Sequence, residues 1–201
     1  VSHADRTLKE QFRKDGSCYH VIDYNPENGK VRRRETAQGY ADSSAWSRGQ
    51  AWAIYGYTMC YRETGNKKYL DQALKTFHFM KKHPHMPTDG IPYWDMDAPE
   101  IPNALRDVSA ASIMASALYE ISTYNVVEGG SYMEYADKIM QTLASTKYTA
   151  PLGKNGRFIL MHSVGSIPHN SEVDAPLNYA DYYYLEALKR KSDIEKGKKQ
   201  P

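Results

Sequence analysis

Pairs of helical segments recurring at a fixed spacing constrain this 201-residue chain more than any other feature of its sequence. Ala45–Thr64 carries Trp46, Gly49 or Gln50, Ala53 and Gly56 or Tyr57 at steps of three and four, the period of one helix face. Lys67–Lys82 follows after Gly65-Asn66, with Tyr69, Leu70, Ala73, Leu74, Phe77 and Met80 on one apolar stripe. A second pair repeats the arrangement. Val108–Tyr124 is dense in Ala and Ser, and Ser131–Lys147 places Met133, Ala136, Ile139, Met140 and Leu143 on one side. Asp174–Arg190 opens a third pair, so the period is about 65 residues. Within each pair, a helix of small or aromatic residues follows a long loop, and an amphipathic helix follows a short turn. The expectation is an all-α toroid of inner and outer helices with its long loops on one face.

The remaining segments are shorter. Val1–Lys14 reads as a polar helix ending before Gly16, a surface element on which a domain is not expected to begin. The chain is therefore read as a single domain, residues 1–201, forming the C-terminal part of something longer. Counting this segment, six helices are visible. Ser17–Tyr24 and Val31–Thr36 read as two strands joined by the turn Asn25-Pro26-Glu27-Asn28-Gly29. Asp42, Ser43 or Ser44 is expected to cap the helix that follows. The loop from His83 to Pro102 holds five of the ten prolines, and its length points to function. Phe158–Met161 reads as a strand, and the tail 191–201 as frayed.

Composition narrows the function classes. Lys and Arg number 26 against 24 Asp and Glu, so no basic field exists to hold nucleic acid or an anionic membrane. The longest apolar-leaning stretch, Val108–Tyr119, falls short of a bilayer span. Cys18 and Cys60 lack metal-site spacing and imply no disulfide framework, although one bridge is open to them. Tyrosine is abundant, with 17 Tyr and 3 Trp against 4 Phe. Aromatics with a polar handle suit surfaces that are half apolar and half wet. A sugar ring, with its apolar face and polar rim, fits such a surface; so does an ordinary helix interface.

The densest cluster of chemistry-bearing residues is Gln38-Gly39-Tyr40-Ala41-Asp42-Ser43-Ser44-Ala45-Trp46-Ser47-Arg48-Gly49-Gln50-Ala51-Trp52. Arg48 offers a planar fork matched to a carboxylate, at a helix N-terminus that favours an anion. Trp46 and Trp52 offer faces for a ring. The same residues also fit a Trp/Arg stack that only packs the helix start. Asp95, Asp97 and Asp107 are carboxylates with a structural reading as well, Asp97 as a turn residue and Asp107 as a helix cap. No HExxH metal motif, phosphate loop or GxSxG elbow occurs.

Four segments together carry a resemblance: QGYADSSAWSRGQAWAIYGY, IPYWDMDAP, RDVSAASIMASALYEIS and NYADYYYLEALKR. In that order they resemble the unsaturated glucuronyl hydrolases, glycoside hydrolase family 88, from about Asp15 to Arg190. The resemblance implies an (α/α)6 barrel, of which six helices would be the C-terminal half. It implies release of a 4,5-unsaturated uronic acid from the non-reducing end of oligosaccharides made by polysaccharide lyases. In the family, an acid protonates the vinyl-ether double bond at C4 and water adds at C5. The resulting hemiketal collapses and expels the remaining sugar. The family's two catalytic Asp residues lie in the N-terminal half and have no matching positions here. His20, Gln38, Arg48 and Trp52 match substrate-binding positions, and Trp46 extends the wall they form. Ser163 and Ser166 fall where some relatives contact a sulfated neighbouring sugar; Ile167 and Pro168 follow, where those relatives carry a Lys.

The partner implied is an unsaturated oligosaccharide, with neither nucleic acid nor membrane, and no cofactor or metal is implied. A missing N-terminal half, or a second copy, is expected to cover the open seams of half a toroid. The compartment stays open between bacterial cytoplasm and periplasm. Two rivals remain: the unsaturated rhamnogalacturonyl hydrolases, with the same barrel and chemistry, and a non-catalytic carbohydrate-binding half-barrel.

Overall fold

A computed structural model describes residues 1–124, 127 and 129–198. Helix α1 (Ser2–Glu10) leads into an antiparallel hairpin of β1 (Val21–Tyr24) and β2 (Val31–Glu35). Four helices follow: α2 (Ser47–Thr64), α3 (Lys67–Lys82), α4 (Val108–Ser122) and α5 (Gly129–Leu143). A 3-10 turn at Asn155–Arg157 precedes the last helix, α6 (Asn178–Glu195). No helix among the described residues is long and apolar enough to cross a membrane.

Local chemistry sets most of these limits. Gly65, at φ 66°, ends α2 in a left-handed cap, its N–H bonded to the Tyr61 carbonyl at 2.8 Å. Asn66 then starts α3 by accepting the Lys68 N–H at 3.2 Å. Asp107 does the same for α4 through the Ser109 N–H at 3.0 Å. The hairpin turn closes through Gly29 at φ 67°, and a bulge at Asp23/Tyr24 shifts the register.

The helices form two layers. α4 packs against α2 on one side and α6 on the other, and these three make the inner row. Every residue of α4 from Val108 to Ile121 is buried, because its Ala and Ser side chains let both neighbours and α5 approach closely. α3 and α5 lie outside, burying Tyr69, Leu70, Ala73, Phe77 and Met80, and Tyr132, Ala136, Ile139, Met140 and Leu143, respectively. Apolar burial of this kind is the main favourable term in folding. The inner and outer alternation, the six α-helices among the described residues and the long loops gathered at one end agree with half of an (α/α)6 barrel.

Several expected limits shift. α1 ends at Glu10 rather than Lys14, because Phe12 already bridges to Cys18. The first strand begins at Val21 rather than Ser17, where Cys18 is tied by its backbone to Gln50. Phe158–Met161 is no strand: it follows the 3-10 turn and contributes one bridge, Thr149 to Leu160. α5 starts and ends earlier than the pattern places it. α6 starts at Asn178 and runs to Glu195, five residues beyond Arg190, and Lys191 is held by Asp137 at 2.7 Å. Residues 199–201 of the expected tail lie outside the described residues. Both cysteines are free.

Candidate functional site

Three long loops meet at the N-terminal ends of α2, α4 and α6. Trp46, the residue before α2, bridges to Asp95, and Tyr93 bridges to Arg106. The Val108 N–H, at the mouth of α4, donates to the His162 carbonyl at 3.2 Å. The expected side-chain cap on α2 does not occur. The Ser47 N–H donates instead to the Trp94 carbonyl at 3.2 Å, so the neighbouring loop satisfies the helix start. Asp42 takes the Thr36 N–H at 2.8 Å, and the Ser44 hydroxyl donates to Asp95 at 2.7 Å.

A cavity of about 510 Å³ opens between α1, the approach to β1, and α2. His20, Gln38, Trp46 and Trp52 all line it, four of the five residues the resemblance assigned to substrate binding. The His20 ring lies on Trp46 with centroids 4.2 Å apart. Its Nδ1 accepts the Ala37 and Gln38 N–H groups at 3.1 and 3.2 Å, which leaves the proton on Nε2. Burial, then the neighbouring Arg48 charge, hold the His20 pKa below its ordinary value. The imidazole is thus a neutral donor. Trp52 is braced by Tyr179 and Tyr183 of α6, at centroid distances of 6.3 and 5.2 Å. Broad apolar faces beside a few polar tips suit a sugar ring. No acidic side chain lines the cavity among the described residues.

Arg48 stands apart from that lining. It is 3% exposed, and Asp107 beside it is fully buried. Its guanidinium pairs with Asp107 at 3.0 Å, donates to the Val164 carbonyl, and donates to the Gly165 carbonyl at 2.5 Å. It also sits 4.6 Å from the Trp46 ring centroid. The fork that the sequence offered to a ligand carboxylate is occupied by a carboxylate of the chain itself.

The other carboxylates are committed as well. Asp95 is buried and accepts from the Tyr40 N–H, the Ser44 hydroxyl and the Asp97 N–H. Burial raises its pKa, while those hydrogen bonds oppose the rise. Asp97 accepts the Ala45 N–H at 3.1 Å. Asp107 both caps α4 and pairs with Arg48. Ser163 and Ser166 sit on a small hairpin outside the cavity lining. The Ser163 hydroxyl is buried with no hydrogen-bond partner among the described residues, and Ser166 meets His169 Nδ1 at 2.7 Å. Reasoning from sequence missed Tyr179 and Tyr183 as supports of Trp52, although both lie in the conspicuous run NYADYYY.

No family model matches the chain. It is 51% identical over 194 residues to an unsaturated glucuronyl hydrolase of Formosa agariphila, an alignment covering 96% of this chain and 48% of that protein. It is 33% identical over 199 residues to an unsaturated glucuronyl hydrolase of Bacillus sp. strain GL1, covering 98% and 51%. Among solved structures, an unsaturated glucuronyl hydrolase specific for heparin superposes with a TM-score of 0.94 at 52% identity, covering 97% of this chain and 52% of that one. The chain therefore spans about half the length of the relatives it matches.

Proposed function

We propose that this chain, a half-length homologue of the unsaturated glucuronyl hydrolases, carries the sugar-binding part of an enzyme that releases 4,5-unsaturated uronic acid from lyase-generated oligosaccharides. The cavity carries this reading: His20, Gln38, Trp46 and Trp52 come from three stretches of sequence and converge on one space. The two indoles would supply the wall for the ring's apolar face. Gln38 and the Nε2–H of His20 would donate to its oxygens. Glycosaminoglycan fragments are the substrate class we favour, since these fit the relatives' names.

The reaction consumes one water. A proton goes to C4 of the vinyl ether, water oxygen bonds C5, and the hemiketal so formed collapses with loss of the remaining sugar. It requires a carboxylic acid near C4. Asp95 and Asp107 are buried and committed, and no acidic side chain lines the cavity among the described residues, so we place the acid outside this chain.

One observation favours a second reading, a carbohydrate-binding module without turnover: among the described residues the cavity lining holds no carboxylate. Two measurements separate the readings. Tryptophan emission of this chain is titrated with an unsaturated chondroitin disaccharide, and binding is expected, abolished in Trp52→Ala. The complete gene product is then mixed with the same disaccharide and with a pectin-derived one. Loss of the double bond's ultraviolet absorbance with the chondroitin disaccharide is expected. Turnover of only the pectin-derived compound would move the assignment to the rhamnogalacturonyl hydrolases, and binding without turnover would favour the module.

A further inference from the structure

Behind the Trp52 ring, a column of side chains runs down the inner row. Tyr179, Tyr183, Glu186 and Arg190 of α6 recur at steps of four, three and four, so they share one face of that helix. Trp52 and Tyr55, three apart on α2, meet that face. The side chains of α2 and α6 come together across α4, whose Ala and Ser residues leave them room.

The column is continuous. The Tyr183 ring meets Trp52 edge-on, with centroids 5.2 Å apart and planes at 73°, and meets Tyr55 in the same manner at 4.9 Å and 75°. Aromatic pairs of this kind hold a preferred mutual orientation. The Tyr55 hydroxyl then donates to Glu186 Oε1 at 3.1 Å. Burial, then the Glu186 charge, raise the Tyr55 pKa, so the hydroxyl stays a donor. At the other carboxylate oxygen, the Ser116 hydroxyl donates to Glu186 Oε2 at 2.5 Å, and Arg190 lies 3.7 Å away. Arg190 is fixed in turn by Glu120 at 2.8 Å and by the Ser116 carbonyl at 2.8 Å. Glu186 is thus the joint between an aromatic stack that ends at the cavity and a polar seam that ties α6 to α4.

We propose that Glu186 is a positioning residue: through the Tyr55 hydroxyl and the Tyr183 ring, it fixes the angle at which Trp52 presents its indole to the cavity. Its effect on a ligand rests on the sugar-binding reading; its hold on Trp52 does not. A flat ring makes full contact with a sugar face in one plane, so turning the indole costs affinity without removing any group that touches the ligand.

The indole N–H signals of the 201-residue chain test the hold on Trp52 by nuclear magnetic resonance without ligand. The chain has three tryptophans, and Trp52→Phe identifies the signal that belongs to Trp52. Tyr55→Phe deletes one hydroxyl and keeps every ring. It is expected to shift the Trp52 signal and leave those of Trp46 and Trp94 in place. Glu186→Ala is expected to do the same, and Glu186→Gln, which keeps an acceptor for Tyr55, to restore the original position. Titration with an unsaturated chondroitin disaccharide is expected to follow the same order: Kd rises about fivefold in Tyr55→Phe and Glu186→Ala, the loss of one hydrogen bond, and stays unchanged in Glu186→Gln. An unmoved Trp52 signal in Tyr55→Phe and Glu186→Ala would overturn the proposal. A shifted signal with unaltered affinity would overturn it equally. Lost affinity with an unmoved signal would mean direct contact between Glu186 and ligand, and would overturn it too. Glu186→Gln behaving like Glu186→Ala would show that charge rather than position matters, against the proposal. Should Glu186→Ala not fold, Tyr55→Phe decides alone. If the unmodified chain binds no disaccharide, the sugar-binding reading fails, while the ligand-free signals still decide the hold on Trp52.

Discussion

His20 shows how much one side chain can report. Its ring nitrogen accepts two backbone N–H groups, so protonation would break both contacts. The folded pKa lies below the ordinary 6.5. The unfolded chain therefore takes up the proton first as pH falls, and the stability tied to neutral His20 is present above 6.5 and declines below it. The urea midpoint of the unmodified chain is expected to fall between about pH 7.5 and about pH 5.5 more steeply than that of His20→Asn, which carries no titrating ring. Gly165→Ala is a second residue-scale case. The added Cβ meets Glu172 and backbone, so a loss of about 1–3 kcal/mol is expected in denaturant unfolding. Legibility at this scale was uneven. Trp46 and Trp52 stood out as aromatics about a helix start, where plain packing was an equal reading, while His20 and Gln38 entered only through the family resemblance. The occupation of Arg48 was not visible, since Asp107 pairs with it from 59 positions away and spacing carries no trace of that.

At the scale of elements, α4 decides what its neighbours can be. Ala115 is fully buried in a helix that touches α2, α5 and α6. Ala115→Leu adds volume where no face is free, and a cost of about 1–3 kcal/mol is expected from urea unfolding. Replacing Asp107 removes the cap on α4 and leaves the Arg48 charge buried alone. Asp107→Ala is expected to cost about 3–5 kcal/mol by the same measurement. The exposed cap Asn66, whose Ala variant should cost about 1 kcal/mol, is the contrasting case. The helices themselves were legible: Lys67–Lys82 was read to its last residue, since Asn66 caps it and the stripe is regular. Ends governed by tertiary contacts were misplaced. α2 takes its first hydrogen bond from a loop carbonyl, and α6 continues past Arg190 because Lys191 finds Asp137.

For the whole molecule, the inner row has two flanks. On α6, Tyr182, Leu185 and Leu188 are 59%, 51% and 42% exposed, and on α2 Met59 is 41% exposed. These are large apolar groups at helical spacing, and such faces tend to associate. Sedimentation is expected to show concentration-dependent self-association of this chain, weakened in Leu185→Glu; a monomer at all concentrations would speak against it. The Ala- and Ser-rich helix α4 lies buried in the middle of the row, and the exposed apolar groups belong to α6 and α2. A polar seam also crosses that row. Arg190 and Arg62 both reach Glu120, at 2.8 and 3.0 Å, tying α6 and α2 to α4.

The span of the contacts made by Asp107 has a consequence for how the molecule is made. Its carboxylate answers to a guanidinium 59 residues earlier and to an amide 57 residues later. During synthesis the chain emerges from its beginning, so α2, α3 and α4 can dock while residues 163–175 are still unmade. Arg48 and Asp107 can pair in that interval, but the carbonyls that complete the guanidinium's set arrive only afterwards. The cavity wall is therefore among the last parts of this chain to acquire its shape, and a nascent chain stalled before Val164 would present Trp46 without the Val164 side chain packed near it and Gln38 without the Gly165 carbonyl it bonds.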